Sequence, residues 1–324
     1  MSCGENVVLC ASRAVVAALL LFSGPGAVAA GPEGELAYRL EAVVRVHAEI
    51  PTDASADRRV SRHGARWRGR GDRRCRSCRD DRLSDHRGYG SRGVVGFDIA
   101  SGLGLLRAAE PLAVKPIPIG TATALTEKTP VVVAASGGPG AVLPAVVVSR
   151  RDFVGYWEYL LDDAIFTAPP HPAWSGAALL GPDGKLAGIG SLVVSDAKAD
   201  LPGNMFVPID RLQRVMGDLL ALGRPSAPSR PWLGVNLREL DGKLVVGRVA
   251  LDGPSDKAGV RHGDRVTAID GAPVHELADF YRTLWRHGDA GVTVRLGVAR
   301  QGEEREIEVN TIDRYRYLKL DTTY

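Results

Sequence analysis

At 324 residues the chain is long enough for two domains with separate cores, and its 45% hydrophobic content is ordinary for a globular protein. The net charge of +3 conceals an asymmetry, because the stretch from Arg58 to Arg92 holds 13 Arg against 4 Asp, which leaves the remainder of the chain acidic. The basic balance therefore belongs to one segment and gives no general case for a nucleic-acid partner.

In chain order, Ala14 to Gly24 forms an apolar stretch too short to span a bilayer as a stable helix, and Ala27-Val28-Ala29 offers small residues for cleavage. Residues 1–30 thus read as a secretory signal, with an exported, periplasmic chain expected and an uncleaved anchor as the alternative. Loss of the signal removes Cys3 and Cys10 and leaves Cys75 and Cys78, a lone Cys-x-x-Cys with no second ligand pair at zinc spacing, so no metal and no cofactor are expected. From Asp57 to Arg92 only Val60 and Leu83 carry branched aliphatic side chains, so residues 57–92 cannot bury a face. Three readings are open for this segment: a nucleic-acid or anionic-surface patch, a disordered insertion, or out-of-frame translation of GC-rich coding sequence. The third explains most. Nucleic-acid binding has no aromatic platform there beyond Trp67 and Tyr89.

Short β-rich runs follow, split by Gly and Pro: Val94 to Phe97, Leu103 to Leu106, Val131 to Val133, Ala145 to Val148 and Leu186 to Val194. Their spacing predicts an antiparallel barrel or sandwich. A helix is predicted next, with Asp210 as N-cap, Leu212, Val215, Met216, Leu219 and Leu220 on one face and Gly223 as its stop. Residues 224–231, rich in Pro and Ser, read as a stiff linker. The last module, 232–313, opens with Trp232-Leu233-Gly234-Val235 and places Leu277, Phe280, Tyr281 and Leu284 at helical spacing.

Several motifs carry a resemblance. Ala173-Trp174-Ser175-Gly176-Ala177-Ala178-Leu179, then Gly181 to Ser191, then Phe206-Val207-Pro208-Ile209 with its helix, and finally the C-terminal module resemble, in this order, the HtrA/Deg family of trypsin-like serine proteases. The resemblance implies a mostly β chain. Its expected architecture is a trypsin-like double β-barrel over 31–223 with the first barrel incomplete, followed by an α+β PDZ domain. It makes Ser175 the nucleophile, and Ala173 and Ser175 the oxyanion-hole donors. It also places the backbone N–H groups of Trp232, Leu233, Gly234 and Val235 on the terminal carboxylate of a bound peptide. The partners implied are unfolded or C-terminal segments of other proteins, with assembly into a homo-oligomer left open.

The chain departs from the family pattern where a triad needs its other members. Gly102, in Ser101-Gly102-Leu103-Gly104-Leu105-Leu106, stands where the family has its aspartate, and Asp98 lies four residues earlier. His63 and His86 are embedded in Arg-rich sequence, and His171, four residues before Ser175, is flanked by prolines that aim it elsewhere. Serine-endopeptidase chemistry is therefore expected to be impaired, with a non-catalytic peptide-binding or chaperone-like adaptor as the alternative.

Overall fold

The computed structural model describes residues 17–19, 91–108, 116–136 and 138–318. The Arg-rich stretch up to residue 90, with His63, His86, Cys75 and Cys78, lies outside the described residues. So does the signal-like segment, apart from strand β1 (Ala17–Leu19). Strand β1 runs parallel to β3 (Leu103–Ala108), which pairs antiparallel with β2 (Ser91–Asp98). Ser91 and Arg92, assigned from sequence to the Arg-rich segment, belong to that strand.

The next six strands are β4 (Pro130–Ala134), β5 (Val142–Gly155), β6 (Tyr159–Ala168), β7 (Ala178–Leu180), β8 (Leu186–Lys198) and β9 (Leu201–Pro208). They close into a barrel in the order β4-β5-β6-β9-β8-β7. Several strands are apolar on consecutive residues because both faces are covered. Ile165, Leu179 and Phe206 enter one core, while their neighbours Phe166, Leu180 and Met205 enter a second, shared with Leu103 and Leu105 of β3. Helix α1 (Ile209–Leu222) closes the second core with Ile209, Leu212 and Leu219 and ends on Gly223 in the left-handed region.

Two sequence expectations for this helix fail. The residue at the cap is Pro208, and Asp210 sits inside the first turn, where its carboxylate accepts from the Thr121 hydroxyl at 2.5 Å and the Ala122 N–H at 2.8 Å. The side chain fastens a distant loop instead of its own helix end. Leu220 points to solvent at 53% exposed, since the buried face passes through Leu212 and Leu219.

The C-terminal module is a sheet of β10 (Val235–Leu240), β11 (Lys243–Val249), β12 (Arg265–Ile269), β14 (Thr293–Arg300) and β15 (Glu303–Asn310) in that order, with β13 (Ala272–Pro273) paired to β12. Helices α2 (Pro254–Ala258) and α3 (Leu277–Trp285) complete it. Phe280, Tyr281 and Leu284 of α3 are buried against Leu237, Val246, Val266 and Leu296, whereas Leu277 is only partly covered. The linker is held on both sides. The Ser226 N–H donates to Asp218 at 2.8 Å, Ser229 O accepts from the Ala290 N–H at 2.8 Å, and the Arg230 guanidinium lies 4.3 Å from the Trp285 ring centre. A last short helix, α4 (Arg314–Leu318), bridges the two halves: the Tyr315 hydroxyl donates to Phe97 O at 2.9 Å and accepts from the Ile99 N–H at 3.0 Å.

Candidate functional sites

The segment Trp174 to Ala177 enters β7 through a tight turn that packs on β8. Gly176 N–H donates to Gly190 O at 2.9 Å, Gly190 N–H donates to Ala177 O at 2.8 Å, and Gly176 takes a φ of 74° that an L side chain rarely adopts. Position 190 must be glycine, because a Cβ there would stand 2.0 Å from the Trp174 carbonyl oxygen. The turn thus presents Ser175 at the surface, as the sequence motif suggests.

Among the described residues, the neighbours of Ser175 are engaged elsewhere. The Ser175 hydroxyl makes no hydrogen bond to any described residue. His171 is buried, 5% exposed; its N–H donates to Asn204 Oδ1 at 2.6 Å, and its ring Nδ1 accepts the Ala173 N–H at 3.0 Å. Accepting through Nδ1 fixes the proton of a neutral ring on Nε2. The same bond engages the Ala173 amide, one of the two donors expected to hold an oxyanion, within its own loop. Asp98, 6% exposed, accepts from the Ala100 and Ser101 N–H groups at 3.1 Å each and so caps the turn between β2 and β3. Gly102, expected from sequence to stand at the acid's position, lies in that turn at φ 76°.

The second site is at the mouth of the C-terminal module. Leu233, Gly234 and Val235 turn their N–H groups toward one point, helped by a φ of 77° at Gly234, where a Cβ would meet the Trp232 ring at 3.1 Å and Ala250 Cβ at 3.2 Å. The point is occupied by the side-chain carboxylate of Glu158, from the turn between β5 and β6. Leu233 N–H donates to Oε2 at 3.0 Å, Gly234 N–H to Oε1 at 2.7 Å and Val235 N–H to Oε1 at 2.9 Å. Trp232, assigned to this cradle from sequence, is not part of it. Its N–H donates to Ile312 O at 3.2 Å in a bridge that anchors the module's first residue to its last strand exit.

Glu158 is 6% exposed, and burial pushes its carboxyl upward against the opposing pull of the three amides and of the Arg314 guanidinium. A buried carboxylate is tolerated only with such partners. The surrounding contacts continue along the groove between β10 and α3. Leu237 N–H donates to Tyr156 O at 3.0 Å. The Tyr281 hydroxyl donates to Gly155 O at 2.8 Å and accepts from the Glu158 N–H at 3.0 Å. At the rim Arg282 pairs with Asp152 and reaches Asp162 at 3.8 Å. A cavity of about 280 Å³ opens beside the contact, lined among others by Asp162, Arg211, Arg230 and Arg314. No cluster of His, Cys, Asp and Glu among the described residues could hold a metal ion. Among them, too, no helix is long and apolar enough to cross a membrane.

Sequence reasoning missed Glu158. The only local signal is the aromatic pair Tyr156-Trp157 in a hairpin turn, and nothing in it announces a partner 75 to 77 residues away.

A closed antiparallel barrel with an exposed serine turn is thus joined to a sheet module with an amide cradle. Residues 231–311 match the family model of the PDZ domain. The chain is 25% identical over 251 residues to the serine protease HtrA-like of Staphylococcus aureus, covering 67% of this chain and 31% of that protein. It is 26% identical over 157 residues to the serine protease HtrA-like of Staphylococcus epidermidis, covering 44% of this chain and 26% of that one. Among solved structures it is similar to the HtrA-type protease AlgW with decapeptide, at 21% identity and a TM-score of 0.44, covering 68% of this chain and 70% of the other. It is also similar to the serine endoprotease from Yersinia pestis, at 20% identity and a TM-score of 0.41, covering 68% and 75%. The sequence is thus similar to HtrA-like serine proteases and carries a C-terminal match to the PDZ domain. It spans about a third or less of the length of the curated relatives it matches.

Proposed function

We propose that this HtrA-like chain is an exported protein that captures the C-terminal or unfolded segments of other proteins through its PDZ domain, and that it hydrolyses them poorly. One observation carries the reading: the Leu233, Gly234 and Val235 amides converge on a carboxylate, so the loop has the geometry needed to bind the free end of a peptide. Main-chain bonds from β10 would then extend the sheet with the ligand, as Leu237 N–H already does toward Tyr156 O. Titrating the full chain with a peptide that ends in an apolar residue tests this. The free acid should bind markedly better than the same peptide amidated at its C-terminus, and equal affinities would sink the carboxylate-cradle assignment.

A second reading, an adaptor that has kept the fold and lost the chemistry, is favoured by a Ser175 hydroxyl that no described residue hydrogen-bonds and by the Ala173 amide donated to His171. Loss of triad members commonly costs factors of about 10⁴ to 10⁶ in rate. A fluorophosphonate probe separates the two readings, since it labels only an activated serine. No labelling is expected. Labelling that disappears in Ser175→Ala would establish an active hydroxyl and overturn the adaptor, and His171→Ala would then test the nearest base.

A further inference from the structure

We propose that the turn Tyr156-Trp157-Glu158 is an internal occupant of the PDZ groove, in which a side-chain carboxylate takes the place of a peptide's terminal carboxylate, so that a C-terminal ligand binds this chain by displacing it. The inference rests on the peptide-binding reading above and adds what controls access to that site.

Three independent features of the contact support it. The Glu158 carboxylate uses the three amides that a terminal carboxylate would need, so the two cannot be bound together. Behind the carboxylate, the backbone of the same turn is held as an added strand would be: Tyr156 O accepts from Leu237 N–H of β10, and the Tyr281 hydroxyl of α3 contacts Gly155 O and Glu158 N–H from the opposite wall. The turn is also shaped for the purpose at a local conformational cost. Three residues connect β5 to β6, and the last of them sits at φ 55°, a position that ordinarily favours Gly or Asn in such a loop. A glutamate held there, with its side chain directed into a cradle on another domain, is backbone strain kept in place by the contact it makes.

Displacement exchanges one carboxylate for another on the same donors, so the cradle is never left empty. It also frees the rest of the interface. Leu160 is buried in the PDZ core cluster and Val154 packs against it, while the Arg282 pairs with Asp152 and Asp162 sit at the rim. The apparent affinity for an outside peptide is lowered by the fraction of molecules in which the groove is closed.

The test compares the full chain with Glu158→Gln, which removes the charge that competes for the cradle, and with Val154→Lys, which leaves the cradle intact and burdens the contact from the barrel side. Each is titrated with a labelled peptide carrying a free acid and an apolar last residue, and with its amide. Hydrogen exchange is read over residues 154–160, which also reports whether each variant is folded. Both variants should bind the acid at least about tenfold more tightly than the unaltered chain. In the unaltered chain, saturating peptide should raise exchange at the Glu158 amide. Acid-selective binding of equal strength in all three chains, with residues 154–160 still protected at saturation, overturns the displacement and leaves peptide binding standing. Absence of acid-selective binding in every folded variant overturns the peptide-binding reading itself, and the displacement with it. Should Glu158→Gln fail to fold, Val154→Lys and the exchange measurement on the unaltered chain decide the matter.

Discussion

Gly190 shows how little space separates the serine turn from the strand beneath it. Its missing side chain lets the Trp174 carbonyl approach β8, and a methyl group at 2.0 Å from that oxygen would force either the turn or the strand to move. Gly190→Ala should therefore destabilise the barrel by roughly 1–3 kcal/mol, as overpacking does, read as a fall in the thermal midpoint. A change below about 0.5 kcal/mol would mean that the turn is looser than the contact implies. The Ser-Gly pair and the downstream apolar run were legible in the sequence because a tight turn and a strand are written in adjacent residues. The role of His171 was legible only in part: its prolines argued against a dyad, but the Ala173 amide on its Nδ1 is a three-dimensional fact. Asp210 misled in the opposite direction, because an acid at a helix start has a local explanation, and here the partners Thr121 and Ala122, 89 and 88 residues away, took it instead.

Among the elements, the turn leading into β12 and the strand β14 are joined by an ion pair whose carboxylate is buried. Asp264 is 1% exposed and Arg300 grips both its oxygens, from Nε at 2.7 Å and from a terminal nitrogen at 2.8 Å, while the Arg261 N–H donates to it at 2.8 Å. Burial alone would push the Asp264 carboxyl up. The Arg300 bonds and the Arg261 amide outweigh it and hold the carboxyl below the usual carboxylate range. A carboxyl lowered in the folded state adds stability that is present above its unfolded value of about 4 and is lost as the pH falls through the lowered one. Thermal midpoints followed from pH 7 to pH 3 should drop more steeply below about pH 4 for the unaltered chain than for Asp264→Asn. At pH 7 that variant should be less stable than the unaltered chain, because the amide offers Arg300 no charge and one acceptor oxygen in place of two. Parallel pH curves would remove Asp264 as a contributor to acid stability. The strands and helices themselves were readable with few errors. Apolar runs, Gly and Pro punctuation and the Gly223 stop are local signals, whereas the cap at Asp210 and the face at Leu220 were misjudged on α1 and strand β6 was not read.

At the scale of the whole molecule, the two halves form one unit through the Glu158 cradle, the Tyr281 hydroxyl, the held linker and α4. The sequence by itself determined the mostly β barrel, the PDZ module after it and the exposed serine, since each is carried by short-range pattern and residue type. What only the tertiary structure decided is what the functional groups face. Whether an amide cradle is open or filled, and whether a histidine offers a free nitrogen or has spent it on its own loop, depends on residues brought together from distant parts of the chain. In sequence Glu158 is one acid among 38 Asp and Glu residues. It acquires a role because a hairpin of the barrel and a loop of the PDZ domain are packed at hydrogen-bonding distance, and a buried carboxylate must find donors wherever the fold supplies them.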